Sequence, residues 1–309
     1  MIVKCPFNYT GSKHSILPQL LPLLPQGITT CYDLFAGGGS VGVNTIYKEV
    51  VFNDSLYEQI GLLEYLYKTP TATFINQVQS CIKEYGLSNT SKYGYQYYSC
   101  SSNTGLAKQN KTPFLTLREE YNKDVIKGEI DFVKLYTLII YSFNNQNRKN
   151  SRGLFNSPVG KRDFNLSMQR KLQLFMDHLK QKKASFTNLD FRDIEIDKID
   201  KDRHPFIYCD PPYLITTATY NEGGNWTEKE EKALLSILDE IDEKGIFFGL
   251  SNVIREGDKE NKLLVNWIED RNFEVVNIKK TYKNSNYQKK KTTGGTKEVY
   301  ISNYSLKQI

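Results

Sequence analysis

The segment from Thr30 to Asp54 constrains this chain more than any other. An apolar run, Thr30-Cys31-Tyr32-Asp33-Leu34-Phe35, stops at Ala36-Gly37-Gly38-Gly39. Ser40 to Lys48 then reads as a helix with Ser40 as its expected cap, and a second apolar run, Val50 to Asn53, ends at Asp54. Leu56 to Tyr67 carries helical spacing again. Strand, helix, strand and helix in this order build a parallel sheet, because parallel neighbours need a crossover between them. Glycines between a strand and a helix admit positive φ and let the backbone approach a ligand. Asp54, seventeen residues after Gly37, stands where an acid can bind ribose hydroxyls. The loop is not a GxGxxG, and it lacks the Lys-Ser/Thr ending of a triphosphate loop.

Strand patterns return at Ala184–Thr187, Pro205–Cys209, Ile246–Leu250, Phe273–Ile278 and Glu298–Tyr304. Trp226 to Glu243 predicts a helix, with Thr227 and Glu230 as a capping box and Gly245 ending it. A further helix is expected near Asn261 to Glu269. The middle of the chain differs. Phe132–Tyr141 and Leu166–Leu179 are helical stretches, whereas Lys92–Lys111 has almost no aliphatic residue and is expected as an exposed loop. The expected class is α/β, with a sheet domain from 1–67 and 184–309 and a mostly helical insertion at 68–183.

At 39% hydrophobic residues the chain can build a core, which excludes wholesale disorder. It has no run of eighteen apolar residues and no apolar block ending in a small-residue cleavage site near Met1. The five cysteines form no CxxC and no metal-ligand spacing with the three histidines. A reduced, cytoplasmic protein with no membrane partner and no metal is expected.

Tyr208-Cys209-Asp210-Pro211-Pro212-Tyr213 follows an apolar strand. Two prolines fix φ and remove two backbone donors, so the Asp210 and Pro211 carbonyls are held rigidly with few local partners. That suits an acceptor pair for an exocyclic amine, made of the Asp210 carboxylate and the Pro211 carbonyl. Tyr213 offers a ring for stacking on a planar base. The segment sits at the C-terminal edge of a strand, where open α/β sheets bind ligands.

The glycine loop first, a long insertion, then Asp210-Pro211-Pro212-Tyr213 resembles the Dam-type (alpha class) DNA adenine-N6 methyltransferases, which use S-adenosylmethionine. Asn8-Tyr9-Thr10-Gly11-Ser12-Lys13 is similar to that family's N-terminal aromatic-x-Gly-x-Lys motif, and Arg152 to Gly160 to its recognition hairpin. The resemblance implies a Rossmann-like AdoMet-dependent methyltransferase sheet with an inserted target-recognition domain. It implies that Tyr9, Lys13, Asp54 and Asp210 contact the cofactor, and that Phe35, Gly37 and Gly39 line its methionine end. Asp190, in Asn188-Leu189-Asp190-Phe191, would border its adenine, and Asp210, Pro211, Pro212 and Tyr213 would carry catalysis. Two departures stand out. Tyr9 occupies a position that is often Trp, and Gln146 replaces an apolar position near the recognition Arg, which leaves the target sequence open.

The net charge of +6 is mild, and its distribution says more. Lys279 to Lys297 holds seven lysines and no acid, with Tyr282 and Tyr287 interleaved; Arg148 to Lys171 is a second basic stretch with Asp163 its only acid. Two such clusters suit duplex DNA phosphates, with Lys289, Lys290 and Lys291 as point charges. Asn144, Asn145, Gln146, Asn147, Arg148 and Asn150 concentrate amides and a guanidinium, groups that read adenine and guanine in the major groove. Arg152 and Asn156 are further base-reading candidates. Three activities remain open: adenine methylation of duplex DNA with base flipping, amino methylation of cytosine or of RNA, and DNA binding without catalysis on the same fold. The hairpin favours the first. A monomer in solution is expected, and service to a restriction system stays open.

Overall fold

The computed structural model describes residues 1–8, 11–215, 226–279 and 295–306. In chain order its named elements begin α1 (Leu17–Leu20), β1 (Thr30–Asp33), α2 (Ser40–Asn44) and β2 (Glu49–Asn53). Six helices follow: α3 (Tyr57–Lys68), α4 (Thr71–Tyr85), α5 (Thr90–Tyr93), α6 (Ala107–Ile126), α7 (Phe132–Tyr141) and α8 (Leu166–Lys180). The chain closes with β3 (Lys183–Thr187), β4 (Pro205–Cys209), α9 (Glu228–Glu243), β5 (Phe247–Glu256), β6 (Lys259–Glu260), α10 (Lys262–Arg271), β7 (Glu274–Ile278) and β8 (Thr296–Ser302). None of the described helices is long and apolar enough to cross a membrane.

The chain forms two compact units. One contains Lys13–Ser55 and Lys182–Ile309, the other Val3–Ser12 and Leu56–Gln181. Against the expected boundaries, α3 and the segment before Lys13 fall with the helices rather than with the sheet.

In the first unit the strands lie in the order β3-β2-β1-β4-β5-β8-β7, with β6 paired to β5. β3, β2, β1, β4 and β5 are parallel, and β8 runs antiparallel between β5 and β7. The chain leaves β1 towards β2 on one side, and β4 returns on the other. The gap beyond the ends of β1 and β4 is therefore the topological switch point, the ligand site of such sheets. β4 is buried along its whole length, which explains its unbroken apolar run. On α9, Leu234, Leu235, Leu238 and Ile241 repeat on one face and are buried. Each contributes about 1.5–3 kcal/mol by leaving water. The Thr227–Glu230 capping box closes the start of this helix.

One helix is shorter than its sequence predicts. α2 stops at Asn44 instead of Lys48, and its cap is Gly39 in left-handed backbone rather than Ser40. Thr45 turns extended, its hydroxyl donates to the Gly42 carbonyl, and the buried Tyr47 hydroxyl bonds the Pro25 carbonyl. Tertiary burial of Tyr47 thus ends the helix so that the chain can enter β2.

In the second unit, α7 spans the predicted residues and is almost entirely buried. Lys92–Lys111 is not a plain loop. It holds the end of α5, a 3-10 turn at Gln96–Tyr98 and the start of the twenty-residue α6. Between α7 and α8 the chain folds back on itself. The Gly160 amide donates to the Tyr141 carbonyl at 2.7 Å, and the Phe143 amide to the Pro158 carbonyl at 2.8 Å. A Cβ on Gly160 would lie 2.3 Å from the Ser142 backbone oxygen. Gly160→Ala is expected to cost about 1–3 kcal/mol or more, since backbone cannot yield as a side-chain end can. Urea unfolding with an unchanged midpoint would contradict that packing.

Candidate active site

Lys13 opens the Lys13–Ser55 segment of the sheet unit, and Asp210 lies one residue past β4. Their side chains meet. The Lys13 ammonium donates to Asp210 Oδ1 and to the Tyr213 hydroxyl oxygen, both at 2.5 Å, and lies 4.9 Å from the Tyr213 ring centre. The Tyr213 hydroxyl lies 3.1 Å from Asp210 Oδ1 and 3.3 Å from Glu298 Oε1. Glu298 Oε1 is itself 3.8 Å from Lys13 Nζ. Lys13 and Glu298 are buried, at 3% and 1% exposure, whereas Asp210 keeps 17%. Within this knot, then, the Asp210 carboxylate is the charged group most open to an incoming molecule. Burial pushes the Asp210 carboxyl above its usual range, Lys13 pulls it down, and the Glu298 charge raises it.

The glycine loop stands on the adjacent strand. Tyr208 on β4 is level with Asp33 on β1, and the Leu34 amide donates to the Tyr208 carbonyl at 3.0 Å. Gly37 and Gly39 have φ of 49° and 68°, a left-handed region that other residues enter at a cost. Asp54, at the end of β2, accepts from the Gly37 amide at 2.8 Å and so fixes the turn. Asp33 accepts from the Gly42 amide at 3.0 Å. Burial, with Asp210 and Asp54 nearby, pushes its carboxyl up to about 7.

Beyond β3, Asp190 grips Arg192 through Nε at 2.6 Å and NH2 at 2.8 Å, which holds its carboxyl below the usual range. Phe191 packs with Phe35 and Trp226, with ring centres 5.4–5.8 Å apart in each pair. Trp226 donates to the buried Glu231 at 2.7 Å.

Of the residues expected here, Lys13, Phe35, Gly37, Gly39, Asp54, Asp190, Asp210, Pro211, Pro212 and Tyr213 all belong to loops at strand ends or join the Lys13 knot. Tyr9 lies outside the described residues. Tyr213 differs from expectation: its ring is 6% exposed and its hydroxyl is engaged, so little ring face is open for stacking. Pro211 is buried beside it. Glu298 and Trp226 escaped the sequence reading. The one clue to Glu298 was an acid placed directly ahead of an apolar strand, after a lysine-rich stretch without acids. Among the described residues no group of three or more His, Cys, Asp or Glu could hold a metal ion.

The segment expected to read bases is a hairpin within the helical unit. Lys149 pairs with Phe155, and the Asn156 amide donates to the Arg148 carbonyl at 2.7 Å. Strand alternation puts Phe155 on the inner face. There it is buried near Phe114 and Tyr121, and its amide and carbonyl pair with the side chain of Asn122 on α6. Lys149, on the same face, forms an ion pair with Glu58. Arg148 and Asn156 take the other face and are exposed, as are Asn144 and, at the tip, Arg152. Lys289, Lys290 and Lys291 lie outside the described residues.

A glycine loop and an acid-led Pro-Pro turn on neighbouring strands meet at the switch point of the sheet, where α/β proteins of this class bind their ligands. Residues 9–284 match the D12 class N6 adenine-specific DNA methyltransferase family, and the chain belongs to it. It is 35% identical to the type II methyltransferase M.FokI of Planomicrobium okeanokoites over 98% of this chain and 43% of the relative. It is 34% identical to the modification methylase StsI of Streptococcus sanguinis over 99% of this chain and 43% of that protein. The DNA adenine methylase of Escherichia coli K12 is 24% identical over 92% of this chain and 91% of its own length. The chain thus spans less than half the length of the first two relatives.

Proposed function

We propose that this chain methylates the exocyclic amino group of adenine in duplex DNA, with S-adenosylmethionine as the methyl donor. The observation that carries the reading is the Asp210 carboxylate, the most open charged member of a buried knot at the switch point, one strand away from the glycine loop. The residues present suit the cofactor. Positive-φ glycines allow close backbone approach, Asp54 offers a carboxylate for ribose hydroxyls, and the half-buried Phe35, packed on the buried Phe191 and Trp226, lines the methionine end. Asp190 would join them by sharing its carboxylate between Arg192 and the adenine edge. The cofactor supplies an activated methyl group when bound.

The chain's own residues do the rest. Asp210 and the Pro211 carbonyl accept the two amino hydrogens, which draws the nitrogen lone pair out of conjugation. These bonds strengthen as positive charge grows on nitrogen, so they act on the transition state more than on the bound substrate. The base has to leave the duplex first, at a cost of a few kcal/mol. In this reading the helical unit serves target recognition, with Arg148, Arg152, Asn144 and Asn156 reading bases. Similarity to a type II methyltransferase and to a modification methylase favours a role in protecting DNA within a restriction system.

Transfer of labelled methyl groups to DNA, followed by nucleoside analysis, tests the reading; label on cytosine, on RNA alone, or on nothing would overturn it. In the same assay Asp54→Ala is expected to weaken cofactor binding at least tenfold and DNA binding little, because Asp54 both holds Gly37 and faces the ribose. Calorimetry showing unchanged cofactor affinity would remove Asp54 from the site.

A further inference from the structure

We infer that Glu298, on β8, is a positioning residue of this site: it shares the Lys13 ammonium with Asp210 and holds the Tyr213 hydroxyl, so that Asp210 keeps its acceptor strength toward the amino group being methylated. The inference rests on the methyltransferase reading above.

Glu298 comes from the antiparallel strand between β5 and β7, far along the chain from Asp210. Its carboxylate is 1% exposed. A buried carboxylate is costly to desolvate, and an apolar side chain of similar size would serve the sheet at least as well. What distinguishes its place is the company. It lies 3.8 Å from Lys13 Nζ and 3.3 Å from the Tyr213 hydroxyl, the two groups that also bond Asp210 Oδ1.

With Lys13 and Asp210 alone, the ion pair at 2.5 Å would be neutral. Asp210 would then present little net charge to a nitrogen that turns positive as it takes the methyl. A second carboxylate against the same ammonium leaves the knot with one net negative charge. That is an electrostatic preorganisation for charge that develops only during transfer. The Tyr213 hydroxyl, between the two carboxylates, orients the loop that carries Pro211 and Pro212.

Among the described residues, the titratable groups that interact electrostatically with Asp210 are Lys13, Tyr213, Glu298 from β8, Asp33 at the end of β1, and Tyr208 and Cys209 on β4. Of these, Lys13 lowers the Asp210 carboxyl and Glu298 raises it. Removing the Glu298 charge should therefore move the acid limb of the pH–rate profile to lower pH.

Glu298→Gln keeps the shape and an acceptor for Tyr213 but removes the charge. Its kcat on duplex DNA is expected to fall on the order of tenfold to a hundredfold, with KM for DNA and cofactor changed less than about threefold. Its acid limb should move down. In a Lys13→Met background the two changes should not be additive, since both carboxylates meet at the Lys13 ammonium. A wild-type kcat with an unmoved acid limb, or full additivity with Lys13→Met, overturns the inference. Should E298Q fail to fold, Glu298→Asp decides. With the charge retained, it should lower kcat and keep the wild-type acid limb, and a shifted limb overturns the inference. Wild-type protein that fails to methylate DNA at all would instead remove the underlying reading.

Discussion

Asp210→Ala should lower methyl transfer to duplex DNA on the order of a hundredfold to a thousandfold, the range found when a preorganised polar group is removed from a transition state. The reason is local. Asp210 is the carboxylate that the knot leaves partly exposed, and its Oδ1 already takes Lys13 and Tyr213, so its second oxygen remains for the amino hydrogen. Alanine removes that acceptor and leaves the buried Lys13 ammonium with the Tyr213 hydroxyl and one carboxylate, Glu298, in place of two. The protein should still fold, because Lys13 retains a carboxylate and β4 retains its buried side chains. Cofactor affinity should fall far less than rate, since the glycine loop and Asp54 are untouched. Single-turnover kinetics and equilibrium cofactor binding on the same preparation separate the two effects. Turnover within tenfold of wild type would sink the mechanism.

Arg148→Ala should relax discrimination at one base pair by about 1–3 kcal/mol, the worth of a bidentate guanidinium–guanine pair. The Arg148 backbone is held on both sides: its amide donates to Ser157 Oγ at 3.1 Å, and its carbonyl accepts from Asn156 at 2.7 Å. A fixed backbone with an exposed side chain is what base reading needs. Lys149, one residue on, points to the opposite face and forms an ion pair with Glu58. Replacing Lys289, Lys290 and Lys291 together should act differently, weakening binding to all sequences alike and flattening its salt dependence. Methylation of a randomised duplex library and affinity measured against salt distinguish the two. An Arg148 variant with full sequence preference but uniformly weaker binding would move recognition to Arg152 and Asn156.

Much of the architecture was legible where its cause is local. The capping box at Thr227 and Glu230 lies within four residues, and α9 starts there. α7 is a run of apolar residues bounded by the Asp131 cap, and its ends were readable. The unbroken apolar run at Pro205–Cys209 could only be a strand buried on both faces once it was placed beside the Asp-Pro-Pro-Tyr turn. α6 was missed for the converse reason. Its residues are mostly polar, it contains Pro113, and only Asn110, Phe114, Leu117 and Tyr121 are buried, so apolar spacing alone gave little to read.

The sequence by itself determined the parallel-sheet class and the two loops that frame the candidate site. Each of these rests on turn chemistry, proline geometry or alternation, which act over a few residues. Tertiary structure alone decided that Lys13, Asp210, Tyr213 and Glu298 form one knot, that Tyr213 turns its hydroxyl inward, and that α2 ends at Asn44. Strand order brings β8 back between β5 and β7, and with it Glu298 comes within reach of Lys13. No nearby residue encodes that pairing. It follows from how a whole sheet buries its faces, a balance of burial and crossover geometry that a local pattern does not carry.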